Sequence, residues 1–140
     1  MAGKTRIAVN SPSDTTHLVG HVTEADADDV EQALSIATAA KHSWAKTGVE
    51  ERAACLDRAA DLLEEAIPDL MTLLCREAGK QIGDCVSEIR ETVDFCRYYA
   101  ERARLDLAPH VLQGPTGEFN ELSLHPRGIF VCISPWNFPL

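Results

Sequence analysis

The stretch PRGIFVCISPWNFPL, residues 126–140, decides how this chain of 140 residues is interpreted. Within it, residues 129–133 form a continuous apolar run that is rich in β-branched side chains and too short for a helix. Such a run predicts a strand that is buried on both faces. Because Pro135 and Pro139 cannot donate hydrogen bonds to a sheet, the strand is expected to end at Ser134 and to be followed by a rigid turn.

The turn after this strand is the first candidate functional site. In open α/β sheets, ligands bind at the carboxyl ends of buried parallel strands. Asn137 lies at this point, and its neutral amide can donate a hydrogen bond to an oxygen that becomes negative during a reaction. The plain alternative is an apolar strand that ends in a structural Pro-Trp turn without any chemistry.

Residues 126–139 closely resemble the PRG…SPWNFP signature of the aldehyde dehydrogenase superfamily. The resemblance implies that Asn137 is catalytic, as the side-chain donor of an oxyanion hole, and that Phe138 lines the tunnel for the aldehyde substrate. It also implies that four residues lie along the cofactor NAD, mostly through backbone and packing contacts: Ile133, Ser134, Pro135 and Trp136.

The composition is that of a soluble globular chain no larger than one ordinary domain. Hydrophobic residues make up 45% of it and charged residues 25%, and the formal net charge is −9. This charge argues against nonspecific binding to nucleic acids or acidic lipids. No apolar run approaches the ~20 residues that a transmembrane helix needs, and no secretory signal is visible, so a cytoplasmic protein is expected.

The five cysteines and five histidines do not suggest a disulfide framework or a metal centre. An odd number of cysteines without CxxC spacing favours reduced thiols, and most of them, including Cys132 in the predicted strand, are expected to be small core residues. His17 and His21 are four residues apart, but they straddle Gly20 in an extended segment, so no metal ligands are assigned.

The sequence pattern divides the chain into four parts. An extended segment or hairpin is predicted over residues 1–25, four amphipathic helices over 26–104, a linker with turn chemistry over 105–117, and strands with the PWNFP turn over 118–140. The predicted fold class is a mainly α part of an α/β aldehyde dehydrogenase fold. It comprises four helices, short N-terminal strands and the first buried strand of the dinucleotide-binding sheet.

The first three helices are defined by apolar periodicity and by their ends. Helix one is expected from about Asp26 to Ala45, and a capping-box spacing that starts at Thr47 announces helix two. Helix two ends before Pro68, and helix three closes at Gly79. The expected packing faces are formed by Val30, Ala33, Leu34, Ala37, Ala40 and Trp44 in helix one, and by Ala53, Leu56, Ala60 and Leu63 in helix two.

Helix four, at about residues 81–104, carries a heptad-like apolar stripe that suits antiparallel packing on another helix. A self-standing coiled coil is the alternative. The stripe consists of Ile82, Val86, Ile89, Val93, Cys96 and Ala100.

Residues 88–100 resemble the EVREAVDFCRYYA helix of glutamate-semialdehyde (pyrroline-5-carboxylate) dehydrogenases, including the dehydrogenase region of bacterial bifunctional proline utilisation A proteins. Residues 120–128 also fit that group, and weaker family patterns at residues 52–63 and 77–80 occur in the right order. The resemblance implies that Glu91 lies at the substrate mouth. A solvated helix acid is the alternative for Glu91.

The resemblance implies part of an NAD-dependent enzyme that oxidises L-glutamate 5-semialdehyde to glutamate in proline catabolism. In this family the cysteine nucleophile, the glutamate base and the Gly-rich phosphate loop all follow the PWNFP turn, so this chain alone is expected to be inactive and to leave residues 129–133 exposed. The implied partners are the remainder of the dehydrogenase polypeptide, a small aldehyde and, in the intact enzyme, further copies in a homo-oligomer. FAD is expected only if a proline dehydrogenase domain lies upstream. The rival function is a non-catalytic helical interaction module or a degenerate truncated gene product.

Overall fold

The computed structural model describes residues 5–140; residues 1–4 of the predicted N-terminal segment lie outside the described part. Over the described residues the chain forms two β-hairpins and four helices. None of these helices has both the length and the apolar character that crossing a membrane requires. The elements in chain order are β1 (Arg6–Ser11), β2 (Asp14–Thr23), α1 (Ala27–Lys46), α2 (Val49–Glu65), α3 (Ile67–Glu77), α4 (Ile82–Asp106), β3 (His110–Leu112) and β4 (Asn120–Leu122).

Helix α1 begins with a reciprocal capping box. Asp26 Oδ1 accepts a hydrogen bond from Asp29 N, and Asp29 Oδ2 accepts one from Asp26 N, both at 3.0 Å. No residue of α1 is buried, and Val30, Leu34 and Trp44 on its predicted packing face are 53%, 39% and 54% exposed. The prediction that this face is packed is therefore wrong for this structure, because periodicity shows an apolar face but not what covers it.

The capping box predicted for α2 is also wrong. The N-cap of α2 is Gly48, which makes no side-chain hydrogen bond. The Thr47 hydroxyl instead donates to Ser43 O at 3.2 Å in the last turn of α1. Because the connection is short, the Thr47 hydroxyl bonds to the end of α1 and does not cap the start of α2.

The core lies where α2, α3 and α4 meet. Ala60 of α2 is fully buried, and Leu74 of α3 is 4% exposed. The small Ala60 side chain leaves room for the larger residues of α4 in the same cluster, Ile89 and Val93. Since α4 packs against both α2 and α3, the alternative of a self-standing coiled coil does not hold.

The apolar stripe of α4 is buried only from its middle onward. Ile89 is 2% exposed, whereas Ile82 and Val86 at the start of the stripe are 67% and 40% exposed. The buried cysteine in that part of the helix is Cys85. Cys75 of α3 lies against it with the two sulfur atoms 3.5 Å apart. In the first turns of α4, the side that faces α3 therefore carries Cys85 and not the predicted Ile82 and Val86.

Charged side chains join α4 to α2 outside the core. Arg104 Nε donates to Glu50 Oε2 at 2.9 Å, and Arg104 Nη2 donates to Asp57 Oδ2 at 2.7 Å. The hydrogen bonds from Arg104 hold the pKa of Glu50 below its ordinary value, and those to Glu50 and Asp57 raise the pKa of Arg104. Because these groups remain in contact with water, the pairs contribute modestly to stability.

The strands form two separate antiparallel hairpins, β1 with β2 and β3 with β4. The short N-terminal strands of the predicted fold are therefore present. The β3–β4 hairpin differs from the predicted division of the chain, because β3 falls within the segment expected to be a linker. Pro109 and Gly114 flank this short run, and Val111 pairs with Glu121 across the hairpin.

Residues 129–133 do not form the predicted strand, and they are exposed, as expected for this chain alone. They pair with no other segment in the described part of the chain, and Phe130, Val131 and Ile133 are 75%, 77% and 90% exposed. A strand must share its backbone hydrogen bonds with a neighbour, and the described strands already pair as two hairpins elsewhere. Cys132 is accordingly exposed and is not a core residue.

Candidate active site

The connection between α3 and α4 places a lysine beside the core. Gly79 follows α3 with a φ of +67°, a left-handed conformation that favours glycine. A Cβ atom at this position would lie 2.8 Å from Cγ of Pro12, so a side chain is also excluded by space. Lys80 N then donates to Leu74 O at 3.2 Å, which closes the helix as the chain turns toward α4.

Glu88 of α4 is a buried acid whose side chain is 4% exposed. Its Oε2 accepts a hydrogen bond from Lys80 Nζ, and its Oε1 accepts one from Leu140 N at 3.0 Å. Burial of a charge is costly unless it is paired and hydrogen-bonded, and here both carboxylate oxygens have partners. Sequence reasoning did not single out Glu88; its one signal was an acid directly before Ile89 in the apolar part of the helix.

The PWNFP turn lies against this pair. Phe138 N donates to Pro135 O at 3.2 Å, which closes the turn around Trp136 and Asn137. Lys80 Nζ lies 5.1 Å from the centroid of the Phe138 ring, a distance at which the cation attracts the face of the ring. The residues that follow Asn137 are therefore held by Lys80, from the connection between α3 and α4, and by Glu88 of α4.

Asn137 lines an open cleft of about 300 Å³ between the turn and α4. Ser87 and Glu91 of α4 line the same cleft, together with Lys80 and Phe138. The structure thus brings Asn137, Phe138 and Glu91, the predicted catalytic and substrate residues, to one place.

A second cleft of about 240 Å³ adjoins the first, and Glu91 and Phe138 line both. Its other walls include Phe95 and Thr92 of α4. The two clefts together form a groove with aromatic sides and a carboxylate at Glu91, which can accommodate a small molecule that carries both apolar and charged groups.

The four residues predicted to bind NAD lie on the chain that leads into the PWNFP turn, with Trp136 in the turn itself. Ile133 and Trp136 are 90% and 92% exposed, Ser134 is also exposed, and Pro135 lines the second cleft. This strip exposes two apolar side chains beside a hydroxyl. The sequence has no Gly-rich phosphate motif, so groups outside this strip would have to bind the phosphates.

No cysteine lines either cleft. Cys85 is fully buried, and burial raises the pKa of its thiol, which disfavours the reactive thiolate. These residues offer a hydrogen-bond donor at Asn137 and a carboxyl group at Glu91. They do not offer nucleophilic attack.

The hairpin, the helical layer and the PWNFP turn against α4 define a member of the aldehyde dehydrogenase family. The model of that family, described as "Aldehyde dehydrogenase family", matches residues 1–140. The chain therefore belongs to this family.

Individual proteins of known sequence or structure are similar to this chain over most of its length. The chain is 43% identical over 132 residues to the bifunctional protein PutA of Klebsiella aerogenes, covering 94% of this chain and 9% of that protein. It is 38% identical over 135 residues to the 1-pyrroline-5-carboxylate dehydrogenase of Anoxybacillus flavithermus, covering 96% of this chain and 26% of that enzyme. The crystal structure of proline utilization A (PutA) from Bdellovibrio bacteriovorus superposes with a TM-score of 0.94 at 32% identity, over 100% of this chain and 15% of that one.

Proposed function

We propose that this chain is part of an NAD-dependent aldehyde dehydrogenase that oxidises L-glutamate 5-semialdehyde, which is in equilibrium with 1-pyrroline-5-carboxylate, to glutamate. The observation that carries the proposal is that Asn137 and Glu91 line one cleft, although they lie 46 positions apart in the sequence. The names of the similar PutA proteins and 1-pyrroline-5-carboxylate dehydrogenases support the choice of substrate.

Asn137 donates its amide N–H to the carbonyl oxygen of the aldehyde as that oxygen becomes negative. One such donor in a preorganised site contributes roughly 3–4 kcal/mol to transition-state stabilisation. The amide suits this role because it is neutral before and after the reaction, so it does not compete with the substrate for a proton. The nucleophilic cysteine and the general base of the reaction come from outside residues 5–140.

Glu91 and Phe138 select the substrate. The semialdehyde carries an ammonium group and a carboxylate at the end away from its reacting carbonyl. The Glu91 carboxylate pairs with the ammonium group, and the Phe138 ring lies along the short aliphatic stem. NAD, when bound, supplies the hydride acceptor, and the strip formed by Ile133, Ser134, Pro135 and Trp136 covers one side of it.

The test is an assay of NADH formation by the polypeptide of the complete reading frame that contains these 140 residues, with 1-pyrroline-5-carboxylate as substrate. Glu91→Gln is expected to raise KM for this substrate about tenfold or more and to leave KM for an uncharged aldehyde of similar length unchanged, because only the former loses an ion pair. The 140-residue chain alone is expected to be inactive. NAD reduction with simple aldehydes but not with 1-pyrroline-5-carboxylate would contradict the proposed substrate.

The exposed apolar face of α1 favours a second candidate, a helical module that docks on another polypeptide without chemistry of its own. Trp44 is 54% and Ile36 61% exposed on this helix. The same assay distinguishes the two candidate functions. An interaction module oxidises no aldehyde, either as the 140-residue chain or as the polypeptide of the complete reading frame.

A further inference from the structure

Two charged residues that the sequence analysis did not assign to the site line the Asn137 cleft and converge on the turn that presents Asn137. Lys80 comes from the connection after α3, and Glu88 comes from the second turn of α4. Their side chains are 18% and 4% exposed, which is unusual for an ion pair in a chain that leaves most of its charges in water. A pair this well covered must either stabilise the fold or fix the position of something bound to it.

The contacts show what the pair fixes. Glu88 Oε1 accepts the backbone N–H of Leu140 at 3.0 Å, and Lys80 Nζ lies 5.1 Å from the centroid of the Phe138 ring. One contact is to main chain and the other to a ring, so together they fix both the path of the chain and its rotation. Both contacts lie within three residues of Asn137.

The preceding segment gives the turn no support of this kind. Val131 and Ile133 are 77% and 90% exposed, and Trp136 is 92% exposed. The described chain therefore holds the turn against α4 from its C-terminal side. Lys80 and Glu88 supply the polar contacts, and the Leu140 side chain packs against the core cluster. Without the pair, the hydrogen bond from Phe138 N to Pro135 O and the apolar packing of Leu140 remain, but no polar contact among the described residues fixes the direction of the Asn137 amide relative to the cleft.

We propose that Lys80 and Glu88 are positioning residues that orient the Asn137 carboxamide toward the cleft on α4. The catalytic consequence rests on the proposed function, but the orientation itself does not. The role assigned to the pair is exerted through Asn137 and not on the reacting atoms. An error of about 1 Å in the placement of a catalytic group costs on the order of a hundredfold in rate, so loss of the pair lowers kcat more than it changes KM.

The decisive variant is Lys80→Met/Glu88→Leu, which replaces the pair by apolar side chains of similar length. Such replacements often leave stability unchanged or raised, so this variant keeps the fold and removes only the anchoring contacts. Lys80→Arg retains the cation and serves as the conservative rescue. The matched control is Lys46→Met/Glu101→Leu. Lys46 and Glu101 are exposed helical residues, so this variant makes the same chemical change away from the turn.

The first measurement uses nitrogen-15 relaxation and amide exchange of the 140-residue chain. In the wild type and control, the backbone order parameter of Asn137 is expected to be near that of rigid backbone, about 0.85, and in the decisive variant to fall below about 0.6. Exchange of the Leu140 amide is expected to accelerate about tenfold or more, since its acceptor is a charged group. An ordered Asn137 and unchanged Leu140 exchange in the decisive variant would overturn the proposal.

The second measurement uses the polypeptide of the complete reading frame. The decisive variant is expected to lower kcat about ten- to a hundredfold with little change in KM, whereas Lys80→Arg and the control keep the wild-type kcat. An unchanged kcat in the decisive variant would refute the positioning role. If the wild type oxidises no aldehyde, the proposed function fails while the relaxation result still decides whether the pair orients Asn137.

Discussion

Replacement of Ile89 by alanine tests the packing that holds the candidate site in place. Ile89 is 2% exposed and belongs to a cluster with Ala60 of α2 and Leu74 of α3. It directly follows Glu88, so the same turn of α4 carries both the centre of the core and the buried acid. Truncation to alanine leaves a space between three helices that cannot all move inward together.

The expected loss follows from the atoms removed. Three carbon groups leave the core, at about 0.8 kcal/mol each, or roughly 2.4 kcal/mol in all. A residual cavity of roughly 50 Å³ adds about 1.2 kcal/mol at about 24 cal/mol per Å³. The better helix propensity of alanine returns about 0.4 kcal/mol. The free energy of unfolding should therefore fall by about 3 kcal/mol.

The assay is urea unfolding followed by far-UV circular dichroism, with Ile36→Ala as the matched control. Ile36 lies on α1 and is 61% exposed, so the same change there should alter the free energy of unfolding by no more than about 0.5 kcal/mol. If Ile89→Ala and Ile36→Ala had equal effects, the packing of α2, α3 and α4 described above would be refuted.

Three further predictions concern the periphery of the fold. Arg104→Met should destabilise the chain in a pH-dependent way, because Arg104 lowers the pKa of Glu50 from its ordinary 4.5. The loss of stability relative to the wild type should be full above that pH and should shrink as the pH falls below it. Thermal unfolding measured across the acid range checks this. Asp26→Ala removes half of a capping box and should weaken α1 by about 1 kcal/mol, visible as lost helicity in circular dichroism, whereas unchanged helicity would contradict the capping role. Maleimide should label the exposed Cys55 and Cys132 before the buried Cys85 under native conditions, and equal labelling rates would show that the core is open.

The sequence predicted the helices well because their signals are local. The structure places α1 one residue later than expected, and Gly79 closes the loop after α3 through a left-handed conformation that only glycine adopts readily. Pro68 lies in the first turn of α3 as expected. Periodicity, glycine and proline act within a few residues, so the sequence itself contains the information.

What the sequence did not predict depends on partners. The exposure of residues 129–133 was expected for this chain alone. The apolar face of α1 was recognised, but an apolar face does not reveal whether a neighbour covers it. Glu88 was missed for the converse reason. Its partners, Lys80 and Leu140, lie 8 and 52 positions away, and no local pattern announces that an acid will be buried with a lysine and a main-chain N–H.

Asn137→Ala tests the central claim most directly, in the polypeptide of the complete reading frame. Loss of one oxyanion donor is expected to lower kcat by about 10²–10³ for oxidation of 1-pyrroline-5-carboxylate. The control is Asn10→Ala, in which an exposed amide that donates to Thr15 O at 2.9 Å in the β1–β2 hairpin is removed, and it should retain the wild-type kcat. A kcat for Asn137→Ala within a factor of about three of the control would mean that this amide does not stabilise the transition state.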